Sequence, residues 1–385
     1  MSLRVVFVNH CARLSGGELA LVRLLGALGD AVDAHVVLAE PGPLVGRLES
    51  AGVETAVLPL RSAVLDTPRT EITLLRPPVR QAAATAAYAL RLGRLLRRLR
   101  PDLIHANSLK SLVYGGLAGR LARVPVVWHV RDRIASDYLP APAVTLVGAL
   151  ARALPGATIA NSQETLRALD RASGGRTTAR PHAVVYDPLG APPCEKRPAN
   201  GAPLRIGMLG RIAPWKGQDV FLKAFSAAFA DGDERAVVIG APLFGEDHYE
   251  QELRDLVRQL GLEQRVELTG FRDDVAGELA RLDVLVHASL LPEPLGQVVQ
   301  EGMQAGLPVV AAGAGGPVEI VDDGVTGFLY PPGDSAALAA RLKTLAYDPP
   351  LRSRVGGAAR ERALAFAPER VAPQILSLYR ELLAA

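Results

Sequence analysis

Short apolar segments alternate with segments of helical periodicity along nearly the whole chain, in two successive runs. The first run contains LRVVFVN, AHVVLAE, VETAVLPL, DLIHAN, PVVWHV and ATIANS, and the second contains LRIGMLG, ERAVVIG, RVELTG, DVLVHAS and PVVAAG. Alternation of this kind predicts parallel sheets that are covered by helices on both faces. Between the two runs, the stretch from Tyr186 to Pro203 holds five prolines and two glycines, which is typical of a linker.

The chain has 385 residues, which is longer than one hydrophobic core usually supports. We therefore predict an α/β protein with two Rossmann-like, doubly wound parallel-sheet domains, over 1–186 and 204–365, joined by a linker over 187–203. The amphipathic segment 366–385 is expected to form a helix that packs back toward the N-terminal domain. Because open parallel sheets bind ligands beyond the carboxyl ends of their strands, we expect the two sheets to face a cleft and functional residues to follow strands.

The composition limits the class of protein. The start, MSLRVVFVNH, is typical of a first strand and not of a signal peptide, and the longest apolar stretch is interrupted by Arg152 and is too short to span a membrane. Two distant cysteines, Cys11 and Cys194, argue against a disulfide framework and predict a reducing cytoplasm. Residues 1–185 hold 23 Lys and Arg against 13 Asp and Glu. This basic half suits phosphates, anionic lipid or an acidic substrate, or it is simply a solvated face.

A cationic loop follows the strand LRIGMLG. Gly210 ends that strand, and Arg211 and Lys216 precede the next predicted helix in RIAPWKGQDV. Fixed cations beside the free backbone N–H groups of a helix N-terminus suit a diphosphate. Lys216 is one of only five lysines in the chain, which favours a specific need for a compact charge. Two ordinary surface charges are the alternative interpretation.

Two glutamates eight positions apart flank the start of another predicted helix, in LPEPLGQVVQEGMQAG. Glu293 lies in a loop rich in proline, and Glu301 lies within the helix. Carboxylates in these places could accept hydrogen bonds from sugar hydroxyls, while the free amides near Leu295, Gly296 and Gln297 face phosphate or ring oxygens. A loop charge and a solvated helix glutamate are the alternative interpretation.

Glycines and a histidine follow other strands. Gly16 and Gly17 open a helix after the first strand, but the sequence there is not G-x-G-x-x-G and lacks the acidic residue of a dinucleotide site, so a nicotinamide enzyme is disfavoured. Gly315 and Gly316 are expected to let the backbone approach a ligand closely. His129 ends VVWHV, where it either lines a reaction centre or satisfies hydrogen bonds at a strand end. Most other histidines are expected in the core or on the surface.

The D-x-D element of the chain, Asp231 to Asp233, falls in a predicted helix-to-strand turn, away from the edge where ligands are expected. A turn is the better interpretation of these carboxylates. We therefore predict no metal site, and no cofactor is expected.

Taken together, these stretches resemble the family 4 retaining glycosyltransferases of the GT-B fold. The resemblance covers nearly the whole chain and rests on the Gly-Gly loop, GRIAPWKG, TGFRDDV, the paired glutamates and GLPVVAAGAGGPVEIVDDGVTGFLYPPGD. It implies that the C-terminal domain binds a nucleotide sugar and the N-terminal domain binds the acceptor. By this resemblance, Arg211 and Lys216 would bind the diphosphate, Glu293 the donor sugar and Glu301 the ribose. Phe271 and Arg272 would lie by the base, and His129 would lie by the anomeric carbon. The resemblance implies further donor contacts at Gly16, Gly17, Gly210, Leu295, Gly296 and Gln297.

The resemblance also implies the reaction. The expected enzyme is retaining and metal-independent, and it moves a sugar from a UDP-sugar, or alternatively a GDP-sugar, to a small molecule, a glycan or a lipid-linked acceptor. With no obvious enzymatic nucleophile, we expect front-face transfer in which the leaving diphosphate accepts the acceptor's proton. An epimerase, a phosphorylase and a non-catalytic binding protein are the alternatives. Nucleic acid is not an expected partner, and the expected location is the cytoplasm or the periphery of the inner membrane face.

Residues 61–100 contain nine arginines and are expected to frame the acceptor cleft. Near the end of this segment one helical face carries four leucines, Leu92, Leu95, Leu96 and Leu99. The preferred interpretation is that these leucines cover the helix's own sheet. The alternative is a basic amphipathic helix on an anionic membrane, in which case the arginines alone would touch lipid.

Overall fold

The computed structural model of the protein describes residues 2–60, 79–190, 202–243 and 245–385. Parts of two predicted segments therefore lie outside the described residues: 61–78 of the arginine-rich segment, and 191–201 of the linker, including Cys194. Contacts divide the chain into two compact units, one made of Met1–Pro188 with Pro368–Ala385 and the other of Leu189–Ala367.

The described part of the first unit contains one parallel sheet with the strand order β3-β2-β1-β4-β5-β6-β7. Its strands are β1 (Leu3–Asn9), β2 (Val32–Leu38), β3 (Glu54–Val57), β4 (Leu103–Ala106), β5 (Val126–Val130), β6 (Ala157–Ala160) and β7 (His182–Val184). Its helices before the second unit are α1 (Gly16–Leu28), α2 (Pro43–Ser50), α3 (Val79–Leu99), α4 (Leu109–Ala122), α5 (Ala141–Ala153) and α6 (Gln163–Ser173).

The local sequence explains these elements. The run Val5–Val8 has no exposed surface, as expected for a central strand that is covered on both faces. Two helices begin where a serine caps the free N–H groups: Ser108 caps α4 by accepting a hydrogen bond from the Ser111 amide, and Ser162 caps α6 in the same way. The strands β4 and β6 thus each end in a short loop that leads into a serine-capped helix.

The second unit repeats the design with a parallel sheet in the order β10-β9-β8-β11-β12-β13. Its strands are β8 (Arg205–Leu209), β9 (Arg235–Ile239), β10 (Val266–Leu268), β11 (Val284–His287), β12 (Val309–Ala312) and β13 (Phe328–Tyr330). Its helices are α7 (Gln218–Ala228), α8 (Asp247–Gln259), α9 (Val275–Ala280), α10 (Gln297–Gln304), α11 (Pro317–Ile320), α12 (Ser335–Tyr347) and α13 (Pro349–Ala363). Two doubly wound parallel sheets confirm the predicted fold class.

The strand order of each sheet reverses direction once. The reversal falls between β1 and β4 in the first sheet and between β8 and β11 in the second. The loops on either side of such a reversal diverge and leave a crevice at the carboxyl edge, where doubly wound folds bind their ligands. The strand order of each unit therefore predicts one crevice in which a ligand can bind.

The last helix, α14 (Pro368–Ala384), belongs to the first unit, where it contacts α1, β6 and β7. Val371, Ile375 and Tyr379 are buried in the same core as β1. On α3, Leu92 and Leu96 are fully buried in the core over the sheet, and Leu95 and Leu99 pack against that core. The preferred interpretation of the four leucines is thus confirmed.

Candidate active site

In the second unit, the loop after β11 is held in place by close backbone contacts. Glu293 forms an isolated parallel bridge with Gly315, and the Gly316 amide donates a 2.9 Å hydrogen bond to the Glu293 carbonyl. A Cβ on Gly315 would lie 2.2 Å from that carbonyl oxygen, and one on Gly316 would lie 2.4 Å from Leu295 Cα. On the side where a Cβ would lie, the space beside these glycines is filled by the loop that carries Glu293. The close approach of a ligand to their backbone stays a prediction.

Three side chains converge on one oxygen of Glu293. Lys216 Nζ lies 2.6 Å and His287 Nε2 lies 3.0 Å from Glu293 Oε1, and Ser289 Oγ donates a hydrogen bond to the same atom. The Glu293 side chain is 11% exposed. Burial on its own raises the pKa of Glu293, but Lys216 and His287 outweigh this and hold the pKa well below its usual range. Glu293 is therefore a fixed anion.

The cationic loop after β8 meets the Glu293 loop at the strand reversal. The Leu290 amide donates a 2.8 Å hydrogen bond to the Trp215 carbonyl, and Lys216 Nζ lies 4.5 Å from the centre of the Trp215 ring. Gly217 has a φ of 75°, and a Cβ there would lie 2.2 Å from the Ala288 carbonyl oxygen. Only glycine permits this close crossing of the two loops.

Arg211 lies in the same loop as Lys216. Its Nε is 3.4 Å from Glu246 Oε2, and its guanidinium lies 5.6 Å from the centre of the Trp215 ring. Gly210, just before it, has a φ of 148°, and no atom lies within 4 Å of the position of a Cβ there. The backbone at the end of β8 is thus open on one side, with two cations a few residues away.

The other predicted donor residues follow neighbouring elements of the second unit. Gly296 has a φ of 82° and caps α10, Leu295 is buried so that only its backbone could face a ligand, and Gln297 begins the helix. Glu301 lies half-buried one turn further along α10. Phe271 and Arg272 follow β10 at the far side of the sheet, where Phe271 is 58% exposed and Arg272 Nε lies 3.5 Å from Glu278 Oε1. An exposed ring of this kind suits stacking on a base.

The first unit has a second polar cluster at its own strand reversal. Asn107 Nδ2 donates to Asn9 Oδ1 and to the Gly17 carbonyl, both at 3.3 Å. Asn9 Nδ2 donates a 3.1 Å hydrogen bond to Glu18 Oε1, and Ser15 Oγ donates to the other oxygen of Glu18. Burial raises the pKa of Glu18. These contacts hold the loop at Gly16 and Gly17, of which Gly16 is exposed and Gly17 half-buried.

Arg131 joins this cluster to His129. Arg131 Nε donates a 3.2 Å hydrogen bond to Asn107 Oδ1, Nη1 donates to Asp187 Oδ1, and Nη2 lies 3.3 Å from His129 Nδ1. His129 is fully buried on β5 and also contacts His105, which in turn contacts Tyr379. The side chain of His129 has no exposed surface, so it sits inside a polar network.

Arg211, Lys216 and Glu293 were all predicted from the sequence. Lys216 and Glu293 contact each other, and Arg211 lies in the same loop as Lys216. The sequence did not point to His287, which contacts the carboxylate of Glu293, or to His105 beside His129. The residues that were not predicted share one signal, since each lies near or just after the end of a strand: Asn9, His105 and Asn107 in the first unit, and His287 and Ser289 in the second. His105 and His287 are buried, in keeping with the expectation for most of the other histidines, and each also makes polar contacts at the carboxyl edge of its sheet.

The described residues contain neither a cluster arranged to bind a metal nor a helix able to cross a membrane. Over 2–60, 79–190, 202–243 and 245–385, no cluster of three or more His, Cys, Asp or Glu side chains is arranged to hold a metal ion. None of the helices in that part of the chain has the length and apolar character that crossing a membrane requires.

Known proteins match this chain in sequence and in structure. The profile of "Glycosyl transferases group 1" matches residues 195–362, and that of "Glycosyltransferase Family 4" matches residues 14–186. The D-inositol 3-phosphate glycosyltransferase of Saccharomonospora viridis is 30% identical over 308 residues, covering 74% of this chain and 71% of that protein. The sulfoquinovosyl transferase SQD2 of Arabidopsis thaliana is 29% identical over 312 residues, again covering 74% of this chain but only 58% of its own length.

A solved structure extends the match to the full chain. The Anabaena protein Alr3699/HepE, crystallised with UDP-glucose, superimposes with a TM-score of 0.85 at 29% identity and covers 98% of this chain and 100% of that one. The two polar clusters described above therefore lie on a fold shared over its whole length, and the chain belongs to the family 4 glycosyltransferases with the GT-B fold.

Proposed function

We propose that this glycosyltransferase moves a sugar from a UDP-sugar to an acceptor hydroxyl with retention of configuration and without a metal ion. The observation that carries the proposal is the meeting of Lys216 and Glu293 at the strand reversal of the second unit, with Arg211 in the same loop. This arrangement offers fixed cations for a diphosphate and a fixed anion for hydroxyl groups at one edge of one sheet. The choice of UDP over GDP draws support from HepE, which was crystallised with UDP-glucose.

Each side chain has a role that its chemistry supports. Arg211 and Lys216 bind the diphosphate, and their charge stabilises the leaving group as its bond to the anomeric carbon breaks. The Glu293 carboxylate accepts hydrogen bonds from donor-sugar hydroxyls, and Glu301 accepts them from the ribose. Phe271 and Arg272 lie by the base, with the amides at 295–297 near the phosphates.

The bond changes balance without a protein nucleophile. The anomeric carbon loses its bond to the diphosphate oxygen and gains one to the acceptor oxygen on the same face. The acceptor's proton passes to the departing diphosphate, whose remaining charge the two cations hold. The cations thus supply the charge that a metal ion supplies in other glycosyl transfers.

The first unit is proposed to hold the acceptor, with the loop at Gly16 and Gly17 adding a donor contact. One face of this unit also suits a membrane surface. Three exposed leucines and three exposed arginines form it, and we name it the Leu/Arg face: Leu90, Arg94, Arg97 and Arg98 on α3, and Leu117 and Leu121 on α4. Neither helix contains an aspartate or a glutamate, so the field at this face is positive and favours anionic lipid. We propose peripheral contact with such a membrane, for which a lipid-linked acceptor would be suitable.

A panel of nucleotide sugars tests the donor assignment. UDP-glucose should raise the melting temperature and be hydrolysed slowly, whereas GDP-mannose should do neither. Proton NMR of the first free sugar, before its anomers equilibrate, should show the α form from an α-linked donor. Arg211→Ala should lose about 2–4 kcal/mol of transition-state stabilisation with its melting temperature intact. Release of the β form, or undiminished turnover by Arg211→Ala, would overturn the mechanism.

A further inference from the structure

Four buried side chains form a continuous chain of polar contacts in the first unit. Tyr379 OH lies 2.6 Å from His105 Nδ1, His105 Nε2 lies 3.1 Å from His129 Nδ1, and Arg131 Nη2 lies 3.3 Å from the same His129 nitrogen. Tyr379 and both histidines have no more than 1% of their surface exposed, and the Arg131 side chain is 7% exposed. The contacts link α14 to residues 274 positions earlier in the chain.

The direction of every hydrogen bond follows from the arginine. A guanidinium carries only donors, so His129 Nδ1 must present a lone pair to Arg131 and cannot carry a proton. His105 Nε2 faces that same lone pair and must therefore be the donor. A neutral imidazole carries one proton, so His105 Nδ1 is an acceptor, and the Tyr379 hydroxyl must donate to it.

These hydrogen bonds determine the tautomer of His129. Its single proton resides on Nε2, which lies 4.0 Å from Asp187 Oδ1 and makes no hydrogen bond to any residue within the described ranges. Burial and the charge of Arg131 lower the pKa of His105 to about 3 and hold the pKa of His129 well below its usual range. Protonation of either ring would place a second proton opposite a donor, which the geometry opposes independently.

We propose that Tyr379 and His105 are positioning residues that keep His129 protonated at Nε2 and bare at Nδ1, so that His129 offers a hydrogen-bond donor and takes no proton from the acceptor. The inference rests on the proposed function together with the place by the anomeric carbon that the family resemblance implies for His129. It deepens that function, because the acceptor's proton then has the leaving diphosphate as its destination. Asp187 complements the arrangement, since it is paired with Arg131 and faces the Nε2 side of the ring.

Nitrogen NMR of the full-length protein, labelled at histidine, tests the tautomers directly. His105 and His129 should both show the proton on Nε2 and should both remain neutral between about pH 5.5 and pH 8. Spectra of His105→Gln and His129→Gln serve only to assign the two signals. A proton on Nδ1 of His129, or protonation of either ring in that range, would overturn the proposal.

A pair of tyrosine variants tests the positioning role. Tyr379→Phe removes the hydroxyl that donates to His105 and should lower kcat by about tenfold or more, because a small misplacement at a reacting centre costs up to about 100-fold. The KM for the donor should change little, since the residues proposed above to bind the diphosphate, the sugar, the ribose and the base all lie in the second unit. Tyr114→Phe is the control: its hydroxyl is also buried but makes no hydrogen bond within the described part of the chain. Equal kcat values for the two variants would refute the role of Tyr379. If the protein uses no nucleotide sugar at all, the proposed function fails, but the NMR result still decides the tautomers of the two histidines.

Discussion

Lys216 Nζ lies 2.6 Å from Glu293 Oε1, although the two residues are 77 positions apart in the sequence. They meet because β8 and β11 are neighbours in the second sheet, so the loops that follow them share one edge. The two side chains are only 15% and 11% exposed. For a pair withdrawn from water to this degree, loss of one partner is more damaging than loss of both.

Lys216→Met should therefore lower the free energy of unfolding by about 3 kcal/mol, because Glu293 keeps its charge without its main cation. The double variant Lys216→Met with Glu293→Gln should recover most of that loss but no transfer activity. Urea unfolding measures the stabilities. Lys223→Met is the control, since Lys223 pairs with Asp219 at a half-exposed site and should change by less than about 1 kcal/mol. A double variant no more stable than Lys216→Met would contradict the pairing argument.

The two glutamates of the site should separate in their effects on nucleotide binding. Glu301→Ala should weaken the binding of free UDP by about 10- to 100-fold, because a hydrogen bond to a charged group contributes about 1.5–3 kcal/mol and the ribose is present with or without the sugar. Glu293→Ala should not weaken UDP binding, since it removes an anion from beside Lys216. Calorimetric titration of UDP into both variants measures the split. Equal losses would show that the glutamates do not have separate roles.

Removal of metal ions should leave transfer unchanged, because Arg211 and Lys216 supply the positive charge at the diphosphate. Activity measured in excess EDTA should equal activity in buffer alone. Loss of activity in EDTA that magnesium or manganese restores would overturn both metal independence and the role given to the two cations.

The alternation of strands and helices predicted both sheets, because buried parallel strands leave an apolar signature that local sequence carries. The position of Arg211, Lys216 and Glu293 after strands could equally be predicted from the sequence. What sequence could not supply was the adjacency of β8 and β11, which depends on the crossover order and not on either segment alone. For the same reason the contact between Tyr379 and His105 was out of reach, since a helix at the chain end meets a strand from the first third of the sequence.

Gly315 and Gly316 show a different limit of prediction from sequence. Gly315 and Gly316 were recognised as places where something approaches the backbone closely, and that part is correct. Periodicity cannot tell whether the approaching group is a ligand or another loop. On the side where a Cβ would lie, the loop that carries Glu293 occupies the space, so the glycines help to set the position of that carboxylate.

The buried histidines predict how stability depends on pH. The folded protein holds His105 neutral, with a pKa of about 3, whereas the unfolded chain takes up a proton near pH 6.5. The unfolded state therefore binds more protons below pH 6.5, and the free energy of unfolding should fall by about 1.4 kcal/mol per pH unit for each such histidine as the pH is lowered toward 4. Glu18, whose pKa is raised by burial, acts in the opposite sense over part of this range.

A comparison of slopes removes the contribution of Glu18. His129→Gln should show a slope smaller than that of the unsubstituted protein by about 1.4 kcal/mol per pH unit between pH 6 and pH 5. His182→Gln, which changes an exposed histidine, is the control. Urea unfolding at several pH values provides both numbers. Identical slopes for all three proteins would mean that His129 is not held neutral by the fold.

The Leu/Arg face should bind anionic membranes through charge. Arg97 Nη2 donates a 2.6 Å hydrogen bond to the Leu121 carbonyl, which ties α3 to α4 at this face, so Arg94 and Arg98 are the residues to reverse. Arg94→Glu with Arg98→Glu should weaken sedimentation with anionic liposomes by about 30-fold or more, because each cation near such a surface contributes about 1 kcal/mol. Arg258→Glu, an exposed arginine of the second unit, is the matched control. Binding of the unsubstituted protein should disappear at high salt and with neutral lipid, and no binding to anionic liposomes at low salt would leave an acceptor free in solution as the better proposal.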